Sequence, residues 1–295
     1  MRERISGIVP PMTTPFRSDE TIDEGALRAE TRYLIERAGV HGLAVAGSTG
    51  EGHTLTTEEV RRVTAMVSEE ARGRVPVITG IITDSTASAV ERGLAVKDLG
   101  VAALQVTPVH YLFRPDDDAM VKHFDTLASR TGLPIIIYNV VPWTYLSPAL
   151  LARIIAAVPG VVGVKQSAGD MKLLADLLLL VKDGARIMTA VDALLYPSFV
   201  LGAHGAIAAI LTAAPTLCVA LWDAVRAGDY KQALALHEKL LPIWNAISHD
   251  NLPANVKHCQ ELQGRAAGVP RAPMPATSPA QAAAIRDALH HAGLV

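Results

Sequence analysis

Lys165 closes the apolar run Val161-Val162-Gly163-Val164, and a lysine so placed is the first candidate for chemistry in this sequence. Desolvation disfavours an ammonium among apolar neighbours and favours the neutral amine. A neutral amine is a nucleophile: it attacks a carbonyl to give an imine, whose protonated form draws electrons from the adjacent carbon. The plainer alternative is a strand-end lysine whose amine snorkels to solvent. Tyr138, 27 residues earlier, ends the run Pro134-Ile135-Ile136-Ile137 in the same way. A phenol beside an imine-forming amine can shuttle the protons that carbinolamine formation, dehydration and carbon–carbon bond chemistry require. On its own it also reads as a packed ring with a wet hydroxyl. Gly47-Ser48-Thr49-Gly50 adds hydroxyls and closely approachable backbone N–H groups, which suit a small carboxylate, or else forms an ordinary turn. His53, just beyond, either faces the distal end of a substrate or merely enters a helix.

These residues need elements that bring them together, and the pattern supplies them. Short β-branched runs alternate with longer stretches of helical period. Strands are expected at Gly7–Met12, Gly42–Ala46, Val77–Ile81, Ala103–Val106, Pro134–Tyr138, Val161–Lys165, Arg186–Ala190 and Ala206–Leu211. Helix starts are marked by Asp23, by Thr56 with Glu59 as a capping box, and by Asp84-Ser85; Gly39, Gly100 and Gly132 mark ends. Strands that are apolar almost throughout imply burial on both faces, as in a parallel sheet wrapped by helices. Eight such units predict an α/β fold, a (β/α)8 barrel over residues 1–225, with additional C-terminal helices over 226–295 packed on it. In such a barrel active residues come from the C-terminal ends of strands, so one strand-to-strand step places Tyr138 and Lys165 at a single mouth. A doubly wound open sheet uses the same alternation, but Gly47–His53 meets neither the dinucleotide nor the Walker fingerprint.

Composition narrows the partners. The chain of 295 residues carries 27 Lys+Arg against 29 Asp+Glu with no basic block, so nucleic acid is not expected to bind. Half of the residues are apolar and 19% are charged, which excludes a disordered chain. The two cysteines, Cys218 and Cys259, form no Cys-x-x-Cys, so a reducing compartment is expected. Met1-Arg2-Glu3-Arg4 and the proline-broken stretch after it are too polar for a signal peptide. The weakly polar run Gly205–Trp222 is long enough for a membrane span, but Pro215 breaks it, and a buried strand followed by a buried helix is expected instead. A soluble, cytoplasmic protein follows. His204, His249 and His258 lack metal-ligand spacing, so neither a metal nor a cofactor is expected; a protonated imine is its own electron sink.

An ordered set of motifs carries a resemblance. Val9-Pro10-Pro11-Met12-Thr13-Thr14-Pro15-Phe16, Gly47-Ser48-Thr49-Gly50-Glu51, Val106-Thr107-Pro108, Tyr138-Asn139-Val140, Gly163 through Asp170, and Leu201 through Ile207 together resemble the dihydrodipicolinate synthase / N-acetylneuraminate lyase family. The match runs from about residue 5 to the C-terminus. The resemblance implies a class I aldolase on a TIM barrel, a homo-oligomer (dimer or tetramer), that binds pyruvate or another 2-oxo acid as an imine. It implies Lys165 as the Schiff-base lysine and Tyr138 as the proton-transfer phenol. It further implies Ser48 and Thr49, with Gly50 and nearby amides, as carboxylate holders, and Ile207 as the residue whose carbonyl lies near the keto acid. Two departures bear on the substrate. Trp143 stands where the synthases of the family place an arginine for the carboxylate of aspartate semialdehyde; as a substrate-binding residue an indole can stack on a ligand or donate one N–H, but it cannot replace that cationic fork. His110 stands where they place a tyrosine that relays protons into the neighbouring subunit's site; Tyr111 competes for the role, and a histidine without one is the third option.

The resulting expectation is a lyase acting on pyruvate or a 2-keto-3-deoxy sugar acid, in which Tyr138, coupled to Ser48 or Thr49 and to His110, moves protons as the C3–C4 bond is made or broken. A dehydratase or a dihydrodipicolinate synthase using the same imine is the alternative within enzymes. A 2-oxo-acid sensor without turnover is the alternative outside them.

Overall fold

The computed structural model describes residues 5–295; Met1–Arg4, part of the stretch read above as too polar for a signal peptide, lie outside the described residues. Eight strands, β1 (Gly7–Ile8), β2 (Leu43–Val45), β3 (Val77–Ile81), β4 (Ala103–Val106), β5 (Ile135–Asn139), β6 (Val161–Gln166), β7 (Arg186–Thr189) and β8 (Gly205–Ala206), form one sheet in the order β1-β8-β7-β6-β5-β4-β3-β2. Every pair is parallel. The ring closes between the ends of that order: His41 N–H donates to the Ile8 carbonyl at 2.9 Å, Ala44 N–H to Pro10 at 3.0 Å and Met12 N–H to Ala44 at 2.8 Å. The chain is thus a (β/α)8 barrel.

The helices α1 (Glu24–Glu36), α2 (Thr57–Ala71), α3 (Thr86–Ala95), α4 (Asp117–Thr131), α5 (Pro148–Ala157), α6 (Met171–Val181), α7 (Leu195–Val200) and α8 (Ile210–Ala213) follow the strands in turn. Their starts follow from local chemistry. The Asp23 carboxylate accepts from Ala26 N–H, and Thr56 and Glu59 cap each other's backbone in a reciprocal box. Gly132, at φ 69, ends α4 by returning its N–H to Ala128. Alternate strand residues fill the barrel: Ile78, Ala103, Ile136, Met188 and Ile207 belong to an inner cluster, while Ile135, Ile137 and Val164 join the shell between strands and helices. This two-sided burial is why the strands read as unbroken apolar runs.

Past the eighth unit come α9 (Pro215–Ala227), α10 (Tyr230–Ile247), α11 (Leu252–Leu262) and α12 (Pro279–Ala292). α9 packs on β1 and α7, α10 on α9 and α12, and α11 on α8.

One local expectation is corrected. The run from Ala206 to Leu211 is not one strand. Ile207 N–H still reaches Thr189 O, but Ile210 N–H turns to the Asp192 carboxylate at 2.8 Å, and the chain winds into α8. The start of α3 falls where Asp84-Ser85 marks it: Ser85 is the cap, and Asp84 accepts the backbone N–H groups of His110 (3.4 Å) and Tyr111 (3.0 Å).

One buried titratable group makes stability depend on pH. His123 on α4 lies against Thr86 Oγ1 at 2.9 Å and edge-on to Phe124, and withdrawal from water pushes its imidazole down to about 4. The unfolded chain takes up this proton near 6.5 and the folded chain resists until about 4, so the stabilisation is complete above pH 6.5 and is lost as pH falls through that window. The loss amounts to about 3 kcal/mol in all. In denaturant titrations between pH 7 and 4, His123→Gln should flatten this slope.

Candidate active site

At the C-terminal end of the barrel the chain encloses a cavity of about 650 Å³. Its floor is set by strand ends. Tyr138 and Lys165 are direct partners in the β5–β6 register, so both side chains turn into the barrel together. Lys165 is 4% exposed and Tyr138 2%, and Lys165 Nζ lies 4.0 Å from the centroid of the Tyr138 ring. The Tyr138 hydroxyl donates to Ser48 Oγ at 3.0 Å, which links β5 to the turn after β2 across the mouth. Thr49, almost fully buried, lies beside Ser48 on the same wall, and Ile207, just beyond β8, completes the inner side.

The turn that carries Ser48 and Thr49 is possible because of glycines. Ala46 is held at φ 54, and its carbonyl lies where a Cβ at Gly52 or Gly80 would stand, 1.9 Å and 2.3 Å away. Any side chain at either position pushes the turn off the barrel rim.

Of the residues singled out from sequence, Ser48, Thr49, Tyr138, Lys165 and Ile207 line this cavity, and so does His53, whose ring is largely exposed at the mouth. Gly50, His110 and Trp143 lie outside its lining. The Gly50 carbonyl accepts from Thr14 Oγ1 at 2.7 Å, so this glycine serves the shape of the turn. His110 Nδ1 lies 3.1 Å from the Pro108 carbonyl and 3.3 Å from the Asp84 carboxylate. Trp143, 71% exposed, donates its indole N–H to the His110 carbonyl at 2.9 Å and so ties the β5 loop to the β4 loop.

Other members of the site escaped the sequence reading. Asp192, after β7, lines the cavity with a carboxylate that accepts the Ile210 N–H. Withdrawal from water pushes this carboxyl up to about 6, against the opposing pull of the Ile210 amide and of Lys165. Asn139, next to Tyr138 and wholly buried, donates to Gln166 Oε1 at 2.8 Å and to the Leu146 carbonyl at 3.1 Å, and accepts Leu146 N–H at 2.9 Å. It thereby pins both ends of the loop that carries Trp143. Asn139 sits at a strand end, where an interrupting polar side chain is itself the signal, whereas Asp192 lies three residues past β7, in the turn before α7. The C-terminal helices add Trp244, Leu252 and Pro253 to the outer wall, Asp250 comes from the turn between α10 and α11, and Met274 comes from the segment before α12. Nothing in their local sequence announces this, because the contact is made only by the way the chain returns.

A closed parallel barrel with a buried lysine and a tyrosine side by side at its C-terminal mouth places the chain among the (β/α)8 barrels whose strand ends carry the reactive side chains. Comparison with known proteins narrows that placement. The signature of the dihydrodipicolinate synthetase family matches residues 4–292. The chain is 36% identical over 274 residues to the 4-hydroxy-tetrahydrodipicolinate synthase of Methanopyrus kandleri, covering 92% of this chain and 91% of that one. Among solved structures it superposes with a TM-score of 0.92 on a putative dihydrodipicolinate synthetase of Pseudomonas aeruginosa, at 32% identity over 98% and 99% of the two chains. It superposes with a TM-score of 0.93 on YagE, a prophage protein of the dihydrodipicolinic acid synthase family from E. coli K12 in complex with pyruvate, at 26% identity over 99% of each chain. The chain belongs to the dihydrodipicolinate synthetase family, and is an enzyme of the class I aldolase type.

The Asp192 geometry sets a measurable cost. Its carboxyl holds a proton up to about 6 in the folded chain against 3.8 in the unfolded one, so the contribution of this group, opposite in sign to that of His123, is complete below pH 3.8 and is lost as pH rises through 6. The loss is at most about 3 kcal/mol. Asp192→Asn, which keeps an acceptor for Ile210 N–H, should raise Tm at pH 7 and leave it unchanged at pH 4.

Proposed function

We propose that the Lys165 amine condenses with the C2 carbonyl of pyruvate, or of a 2-keto-3-deoxy sugar acid. Tyr138 then moves protons to and from its partner Ser48 as an enamine forms and the C3–C4 bond is made or broken. The observation that carries this reading is the register pairing of Tyr138 with Lys165 in the cavity floor, with the phenol hydrogen-bonded to Ser48. On this reading Ser48, Thr49 and the amides of their turn hold the keto-acid carboxylate, and Ile207, which lines the same cavity, contributes its backbone carbonyl beside the keto acid. Once the protonated imine forms, it supplies the electron sink at the reacting carbon.

The remaining cavity selects the second reactant. Among the described residues that line it, Lys165 is the sole lysine or arginine, and the other charged groups are the carboxyls of Asp192 and Asp250. With Lys165 engaged as the imine, no arginine fork is left for an aldehyde bearing a second carboxylate. A neutral hydroxylated aldehyde suits two carboxylates that accept hydrogen bonds. This favours cleavage or formation of a deoxy sugar acid over the synthesis named for the Methanopyrus relative.

The rim residues point to assembly. Tyr111, Leu112 and Phe113 are 65%, 87% and 63% exposed beside Trp143 and form an apolar prominence next to the mouth; a second copy of this chain is the partner that covers it. His110 or Tyr111 then acts as a proton relay for the neighbouring site. Leu179 and Leu180 of α6, and Val200 and Leu201 at the end of α7, are further exposed apolar side chains, and on this reading they supply the second contact that extends a dimer to a tetramer. The reading places the enzyme in the cytoplasm, where the buried, unpaired Cys218 and Cys259 stay reduced. Among the described residues no helix is long and apolar enough to cross a membrane.

Borohydride added with pyruvate should leave a covalent adduct that peptide mapping places on Lys165, absent from Lys165→Ala; an adduct on another lysine would refute the assignment. Tyr138→Phe should still be trapped but lose about 10²- to 10³-fold in kcat. Offered a panel of 2-keto-3-deoxy acids, the enzyme should release pyruvate, whereas an intact carbon chain with water lost would show a dehydratase. Light scattering of Phe113→Glu should report a smaller particle than the parent.

A further inference from the structure

The turn that carries Ser48 and Thr49 is anchored from behind at a single carboxylate. Glu51 is wholly buried and held in the left-handed region at φ 55. Its Oε1 accepts from Lys257 Nζ at 2.6 Å, and its Oε2 accepts the backbone N–H of Arg271 at 2.8 Å. Both oxygens are therefore engaged by the C-terminal part of the chain, more than 200 residues away in sequence. Lys257, on α11 and 2% exposed, also donates to the Val269 carbonyl at 2.7 Å and lies 4.7 Å from the centre of the Phe16 ring. The Arg271 side chain bonds the Thr54 carbonyl at 3.0 Å and pairs with Glu59 at 2.7 Å, which fixes the far side of the same turn.

The backbone of Glu51 transmits this hold. Its N–H donates to the Ser48 carbonyl at 3.0 Å, and its carbonyl accepts from both Thr54 N–H and Thr54 Oγ1 at 2.8 Å. A residue other than glycine keeps a positive φ only where its surroundings over-determine it. Here the surroundings are an ion pair delivered by another layer of the protein. Neither Glu51 nor Lys257 lines the cavity, so whatever they do for a ligand passes through the shape of the turn.

We propose that Glu51 and Lys257 are positioning residues that hold the Ser48–Thr49 turn in the form that receives the carboxylate of the 2-oxo acid. The proposal rests on the reading of the site given above. A buried ion pair is weak evidence for stability, because neutral groups of similar volume pack as well or better. Its location supplies the geometric role instead. A carboxylate subsite built from hydroxyls and backbone N–H groups depends on their alignment to a fraction of an ångström, and an αL residue released from its clamp relaxes toward negative φ and turns those N–H groups away. On this account the C-terminal helices are part of the catalytic apparatus, through the floor of the carboxylate site as well as through the outer wall.

The test reads the pyruvate concentration that gives half-maximal borohydride trapping, together with the maximal trapping rate. The unaltered enzyme is measured first: if it yields no adduct on Lys165, the reading of the site fails whatever the clamp does. Given an adduct, the double variant Glu51→Gln/Lys257→Met, which leaves no unpaired buried charge, should raise half-saturation at least about tenfold. Its maximal rate should change by less than about threefold. Lys257→Arg, which keeps the cation, should restore half-saturation to within about threefold of the parent. A double variant that is folded by circular dichroism and saturates within about twofold of the parent overturns the proposal. So does a double variant that does not fold, since the pair is then a requirement of the barrel itself.

Discussion

A parallel strand pair has one property on which everything at this mouth depends: residues in register turn to the same side. Tyr138 and Lys165 are such partners, each at the end of a strand whose other inward residues are apolar. Because the ring is closed, inward means into a dry, filled barrel, and only the last inward position of each strand can be polar while still meeting a ligand. The amine and the phenol occupy those positions on adjacent strands. Their separation is therefore a consequence of the sheet, and loop rearrangement leaves it unchanged. The same rule explains Ile136 beneath them and Ile135 and Ile137 behind them, which fill the barrel and the helix shell by turns.

The loops that complete the site lack this guarantee and are tied down one hydrogen bond at a time. Asn139 grips both ends of the β5 loop through Leu146 and reaches across to Gln166 on β6. Asp84 holds the β4 loop by the N–H groups of His110 and Tyr111, and the Trp143 indole closes the two loops on each other. The Ser48 turn is held by Glu51 and its partners, and Asp192 organises the start of α8. In each case a carboxylate, amide or indole on one segment satisfies main-chain groups of another, which is how irregular backbone at a barrel rim avoids leaving buried donors unpaired.

The legibility of these parts in the sequence follows the range of the interaction that determines them. β3 and β4 have the bounds expected from their apolar runs, because burial on both faces writes itself into consecutive residues. The Thr56–Glu59 box is equally plain, being complete within four residues. Lys165 and Tyr138 stood out because a polar residue ending an apolar run is locally anomalous. The eighth strand was misjudged because Ala206–Leu211 is apolar at every position. The strand ends at Ala206, and the chain then winds into α8, where Ile210 N–H meets Asp192, 18 residues upstream; no local pattern encodes that. Lys257 was still harder to see: within α11 it is one lysine of an amphipathic helix, and its partner Glu51 lies 206 residues away. Trp143 and His110 were identified as departures by position, but their contact with each other depends on how two loops fold back.

Where the departures fall is itself informative. The residues assigned to imine chemistry lie in buried strand ends and in a clamped turn, where a substitution must satisfy register, burial and backbone shape at once. His110, Trp143 and the Tyr111–Phe113 prominence lie on partly or largely exposed loops, where a change alters what the mouth presents without disturbing the floor. A barrel that separates the two in this way can retain one electron sink while its rim changes partner and substrate. An exposed indole at the rim above a buried lysine and tyrosine is a combination such a division permits. The distal half of the cavity, walled by Asp192, Asp250, Trp244 and Met274, is built from loops and from the returning C-terminal chain, so its lining can change without moving the strand-end floor.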